Sequence, residues 1–139
     1  MKTNTSSAAT ISQNSQITQA DPAQLIVLLY NGALSHIAQG QQFHKEKDLA
    51  QAGLAISKAQ AIVNELRQVL DLDSGGDIAK NLDRLYAYLH ELMLKAILVN
   101  GIEPLNEAAK LLTELRGAWD EVATLAMPIF TNEPARVRA

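Results

Sequence analysis

Cysteine is missing from this chain of 139 residues. Disulfides and thiolate metal sites are therefore excluded, and a reducing cytoplasm is compatible with the composition. Aromatic residues are few, at 4%, whereas hydrophobic residues make up 47% and Ala, Leu and Gln abound, a balance that favours helix. There is no surplus of positive charge: the net charge is −3 and the pI about 5.5, which argues against broad phosphate binding to nucleic acid. No apolar run approaches the roughly 18 residues of a membrane span, so membrane insertion is not expected. The opening MKTNTSSAATISQNSQ has one lysine and no apolar h-region, unlike a signal peptide. The length suits one domain with a modest core.

What is present is heptad patterning. In GGDIAKNLDRLYAYLHELMLKAILV (75–99), apolar residues fall at Ile78, Leu82, Leu85, Leu89, Leu92, Ala96 and Val99, alternating steps of four and three. That is the repeat of a helix packed on other helices. Tyr86 and Met93 form a second row beside it. From Leu92 to Val99 only Lys95 is polar, so this helix needs cover on more than one side.

The remaining chain supplies three more helices. Asp21 and Pro22 suit a helix start, with Gln24 at the capping-box position. Ile26, Leu29, Tyr30, Ala33 and Ile37 then share a face, Gly32 and Ala33 allow close approach, and Gly40 predicts a fading end between Gln39 and Phe43. Asp48 can cap a second helix with Leu49, Ala52, Ile56, Ala59, Val63, Leu66 and Leu70 inward. DLDSGGD (71–77) breaks it; Gly75 and Gly76 tolerate positive φ, and Ser74 with Asp77 can cap the next helix. Asn100-Gly101 ends that helix. Pro104 starts a fourth, seamed by Leu105, Ala108, Leu112, Leu115, Trp119, Val122 and Ala126, before Pro128 stops it. Short linkers force antiparallel neighbours. The expectation is an all-α, antiparallel up-down-up-down four-helix bundle over 21–126. A flexible N-terminal arm (1–20) precedes it, with Ile11 and Ile17 as isolated anchors. A loose tail (127–139) follows, in which Ile129 and Phe130 are the residues able to fold back.

Catalytic patterns are weak. No Glu is followed three residues later by His, as a di-iron bundle needs. His36 and His44 do not make a metal pair, and His90 stands alone. His44-Lys45 is the nearest approach to a phosphotransfer site, but at an expected frayed helix end. Gly75-Gly76 lacks the Gly-Lys-Ser/Thr of a P-loop. Acidic pairs such as Asp71/Asp73 and Asp120/Glu121 read as solvated surface. The chain is not expected to be an enzyme or to use a cofactor or metal. After the core rows are assigned, apolar residues are left over: Ile26, Val27, Leu34, Ile62, Val69, Tyr86, Met93, Leu94 and Ile97. They are shoulders of a filled bundle, a dimer interface, or a groove for another chain's amphipathic helix. A small signalling or phosphotransfer module, or a plain dimerisation module, is the alternative to a helix-binding protein.

DPAQLIVLLYNGAL (21–34), AIVNELRQVLDLD (61–73), GGDIAKNLDRLYAYL (75–89) and LLTELRGAWDEV (111–122) together resemble the flagellar export chaperone family FliS, in order and with family-like spacing from about Gln13 to Ala126. The resemblance implies an antiparallel four-helix bundle in the cytoplasm that binds the C-terminal segment of flagellin. It further implies that this binding blocks premature filament assembly and keeps flagellin ready for the type III export gate, without cofactor or ATP. The loaded chaperone is then a candidate partner of that gate, as a monomer or weak homodimer. The client surface it points to comprises Ile62, Leu66 and Val69, then Leu82, Leu85, Tyr86 and Met93, with Leu25 and Leu29 beside an N-terminal cap carrying Ile11 and Ile17. Asn81 neighbours that surface. Ile11 departs from the family's usual aromatic, His36 stands where a large apolar residue is common, and the tail after Ala126 is outside the pattern.

Overall fold

A computed structural model describes residues 22–124 and 129–131. Four helices follow in order: α1 (Pro22–Lys45), α2 (Leu49–Gln68), α3 (Gly76–Val99) and α4 (Ile102–Thr124). The linkers are too short to let successive helices run parallel. α1 and α3 each pack against both α2 and α4, closing an up-down-up-down ring. The expected bundle is the observed one. Ile11 and Ile17, with the whole arm 1–20, lie outside the described residues.

Helix ends follow their local chemistry. The Asp48 carboxylate accepts from the Gln51 amide at 3.2 Å, capping α2. Asn100 takes the left-handed conformation (φ 51°) that ends α3. α1 is longer than expected, running through Gly40 to Lys45. Gly40 is buried, and a Cβ there would meet Ile56 Cγ1 at 3.0 Å and Leu105 Cδ2 at 3.4 Å. The glycine costs helix propensity of about 1 kcal/mol, but it lets three helices close on one point. Gly32 does the same more mildly, 3.3 Å from Ile62 Cδ1 by the same construction.

The core contains most of the expected rows of α1, α2 and α4: Ile26, Tyr30, Ala33 and Ile37; Ala52, Ile56, Ala59, Val63, Leu66 and Leu70; Leu105, Ala108, Leu112 and Trp119. Leu49, expected inward, is exposed at the first turn of α2, Leu29 and Leu115 are half-buried, and the Val122 and Ala126 side chains lie outside those described. α3 is rolled from its expected seam. Its buried residues are Ala79, Tyr86, Leu89, Leu92, Met93 and Ala96. Ile78, Leu82 and Leu85 are only half-buried, and Val99 is exposed. The row taken as secondary is therefore central at the N-terminal half of the helix, and the leading row is its flank.

The α2–α3 linker is tied into a knot by Asp71. Its carboxylate accepts from the Ser74 amide at 3.0 Å, and its carbonyl accepts from the Gly75 amide at 2.7 Å. Gly75, not Ser74 or Asp77, is the N-cap of α3, and only Gly76 has positive φ (59°). Asp71 is thus a turn-builder rather than a merely solvated acid. Its own amide donates to the Ile129 carbonyl at 2.8 Å, and the Thr131 amide donates to the Val69 carbonyl at 2.8 Å. Residues 129–131 are consequently folded back as one short antiparallel bridge, Leu70 to Phe130. Ile129 is 1% exposed, and the Phe130 ring meets Trp119 edge-on at 5.2 Å.

Two glycines test this packing in opposite directions. A Cβ at Gly75 would lie 2.5 Å from Ala79 Cβ and 2.7 Å from the Asp71 carbonyl oxygen, whereas one at Gly53 in α2 meets nothing within 4 Å. Gly75→Ala should lower stability by about 1–3 kcal/mol. Gly53→Ala should raise it by about 0.5–1 kcal/mol, both read from urea denaturation.

Candidate partner-binding surface

The roll of α3 begins with two tyrosines. Tyr30 of α1 and Tyr86 of α3 reach across the bundle, and their hydroxyls are 2.6 Å apart in a buried hydrogen bond. Their rings lie tilted at 55°, with centroids 6.4 Å apart. Each phenol thus has a polar partner where water is absent, the condition for burying a tyrosine. Burial pushes the Tyr30 hydroxyl from its ordinary 10.0 up to about 12, offset in part by the bond to Tyr86. Tyr86 is also pushed up, by burial first and then by the neighbouring Tyr30 oxygen. This pair escaped the sequence analysis, although both residues sit in apolar rows that need an internal partner for a hydroxyl.

The pair corrects part of the expected partner surface. Tyr86, Met93 and Leu66 are completely buried, and Val69 is nearly so. They are core residues, because the Tyr30 bond turns the Ala79–Tyr86–Met93 row inward and α2 presents Leu66 and Val69 to the same interior. Leu25, Leu29, Ile62, Leu82 and Leu85 remain half-exposed, and Asn81 is exposed. Of the leftover apolar residues, Val27, Leu34 and Ile97 are also half-buried, Leu94 is exposed, and Ile26 is core.

The half-exposed candidates do not form one groove. Leu25 and Leu29 are seven and three residues before Gly32, on the strip of α1 that faces Ile62 of α2. Leu85 is three and seven residues before Tyr88 and Leu92, on the strip of α3 that meets α4. There Tyr88 donates to the Glu107 carboxylate, and a cleft of about 240 Å³ opens among Tyr88, Glu91, Leu92, Lys95, Glu103, Pro104 and Glu107. In the ring of helices the α1–α2 and α3–α4 seams are opposite sides. Asn81 accepts from Arg84 one turn on, at 3.2 Å, so its side chain is engaged within α3.

The α2–α3 seam is polar at its rim. Arg67 donates to Asp83 at 2.6 Å, and Gln60 donates to the His90 carbonyl at 3.3 Å. The carboxylate partner holds the Arg67 guanidinium above its usual range. Such an exposed pair contributes little to stability. His44, contrary to a frayed end, lies within α1, and its Nε2 is 2.7 Å from the Asn100 carbonyl, which can only accept. That nitrogen bridges helix ends instead of presenting itself for phosphoryl transfer. His36 Nδ1 pairs with Gln39 at 3.2 Å. Among the described residues no three of His, Cys, Asp and Glu are grouped to hold a metal ion, and no helix is long and apolar enough to cross a membrane.

A helical bundle with two apolar flanks fits many proteins, and the sequence narrows the choice. The model of that family, described as flagellar protein FliS, matches residues 4–126. The chain belongs to the FliS family. It is 35% identical to the flagellar secretion chaperone FliSB of Pseudomonas aeruginosa over 113 residues, 81% of this chain and 90% of the relative. It is 36% identical to the flagellar secretion chaperone FliS of Salmonella typhimurium over 119 residues, 85% and 88% of the two chains. The Escherichia coli FliS matches at 30% over 131 residues, 94% and 95%. The family-model match thus includes both flanks and the tyrosine pair and ends before residues 129–131, which the match to the Escherichia coli relative includes.

The pair has two measurable consequences. Tyr30→Phe or Tyr86→Phe each leaves one hydroxyl buried without its partner and should cost about 1–3 kcal/mol. The double variant should cost less than the sum of the two. Because folded Tyr30 ionises later than its ordinary value, the pair's stabilisation is complete below about pH 10 and is lost as pH rises toward about 12. A pH series of urea midpoints should show that alkaline loss shrinking in the double variant.

Proposed function

We propose that this protein is a cytoplasmic, non-enzymatic secretion chaperone that binds the C-terminal segment of flagellin, blocks its premature polymerisation and keeps it competent for type III flagellar export. Membership of a family whose relatives are named flagellar secretion chaperones supports this reading. The observation that carries the mechanism is the pair of unsealed apolar flanks, Leu25, Leu29 and Ile62 on one side and Ile78, Leu82 and Leu85 on the other. A client that folds on binding can lay amphipathic helices on such flanks. Since the flanks are on opposite sides of the bundle, one client occupying both must be long and unfolded, passing round an end of the barrel of helices. Masking follows directly: apolar side chains held against the chaperone are withheld from other flagellin copies. Each side chain fully covered contributes about 1.5–3 kcal/mol before ordering costs. The loaded complex is then the species presented to the export gate.

A flagellin C-terminal peptide should bind at micromolar protein and gain helicity by circular dichroism. Leu85→Glu or Ile62→Glu should weaken binding about 10-fold or more with little change in thermal midpoint. Tyr86→Glu should instead unfold the protein, since it places a charge at a fully enclosed position. Absence of peptide binding by the folded wild-type chain would remove the proposal. An obligate dimer that covers both flanks would replace it with a dimerisation role.

A further inference from the structure

The folded-back residues 129–131 occupy a site that has the properties of a peptide-docking slot. Its backbone edge is the Val69 carbonyl and the Asp71 amide, which belong to the linker after α2 and bond to Thr131 and Ile129. Those two bonds carry no side-chain preference, as in strand addition. Selectivity comes from two adjacent positions. The first takes Ile129 against Gly75, where a Cβ would come within 3.2 Å of the Ile129 Cα, so the occupant's backbone lies directly on the linker. The second takes Phe130 on the edge of Trp119. Trp119 is itself 8% exposed, and its indole N–H has no acceptor among the described residues. The slot thus offers a buried donor that residues 129–131 leave unused.

We propose that this slot is a docking site for an extended segment bearing an aliphatic residue followed by an aromatic one. Residues 129–131 are its occupant in cis, a strap that must leave before such a segment of another chain enters. The strap is attached to α4 through residues 125–128 alone, so its effective concentration at the slot is on the order of millimolar, and a competitor must outmatch that. A segment that also presents a carbonyl to the Trp119 N–H has the means to do so. Vacating the slot leaves the Val69 and Asp71 backbone groups and the Leu70 side chain without their cover, which is why it is filled when no other chain is bound. The family model ends at residue 126, whereas the match to the Escherichia coli relative, over 131 of the 139 residues, takes in the strap as well.

Trp119 is the only tryptophan and reports directly on the slot. In the full-length chain, Ile129→Asp with Phe130→Ala should shift Trp119 emission to the red while far-UV helix is retained. A synthetic peptide of residues 127–139 should reverse that shift saturably, and the peptide carrying the same two substitutions should not. A helical variant with unshifted emission, or one whose shift the wild-type peptide fails to reverse, overturns the proposal. Should the variant lose its helix, hydrogen exchange of the unaltered protein decides. The Asp71 and Thr131 amides should exchange together, at least tenfold faster than the Tyr86 amide yet slower than free amides. Exchange at the Tyr86 rate, or with no protection, overturns it equally.

Discussion

The bond between the Tyr30 and Tyr86 hydroxyls sets how this bundle presents itself. Two large polar-tipped rings in an otherwise aliphatic interior satisfy each other only if α3 is turned to bring Tyr86 to the axis. That turn carries Ala79 and Met93 inward and leaves Ile78, Leu82 and Leu85 at the edge. The apolar flank on α3 is therefore a geometric product of a core hydrogen bond. A buried polar pair here specifies orientation, which an aliphatic core of the same volume does less well.

Periodicity made most of the architecture legible. Four helices, their antiparallel order, the Asp48 cap and the Asn100 stop follow from spacing and cap chemistry, and most of the inward residues of α1, α2 and α4 were placed correctly, Leu49 excepted. What spacing could not resolve was the roll of α3. A helix with apolar residues in two adjacent rows has two plausible inward faces, and the choice depends on a contact 56 residues away. The same ambiguity displaced Tyr86 and Met93 from core to expected surface. Leu66 and Val69 were misassigned for a related reason, since α2 is apolar over a wide arc and core and flank differ there by a fraction of a turn. Gly40 misled in another way: helix propensity reads glycine as a weak point, whereas α2 and α4 use its missing side chain as a contact.

The linker between α2 and α3 shows local sequence doing two tasks. Asp71 shapes the turn through its carboxylate and carbonyl while its amide is left facing outward, available for the bridge to Ile129. Gly75 and Gly76 then serve different ends. One is small because neighbouring atoms leave no space, and the other adopts a backbone conformation that side chains resist. The helical bundle and the folded-back residues 129–131 meet at this turn, so changes to it register in both.

The two ends of the bundle are not equivalent. At one, the linkers 46–48 and 100–101 join the helices in pairs, and His44 bonds across to the Asn100 carbonyl. At the other, only the α2–α3 linker is covalent, and α1 begins and α4 ends there. Tension applied at Pro22 and Thr124 therefore enters at a single end and acts on α1 and α4 side by side. The load separates their contacts one turn at a time instead of shearing all of them together. A rod bundle of this connectivity is mechanically soft to a machine that grips its ends, even where its resistance to heat or denaturant is ordinary.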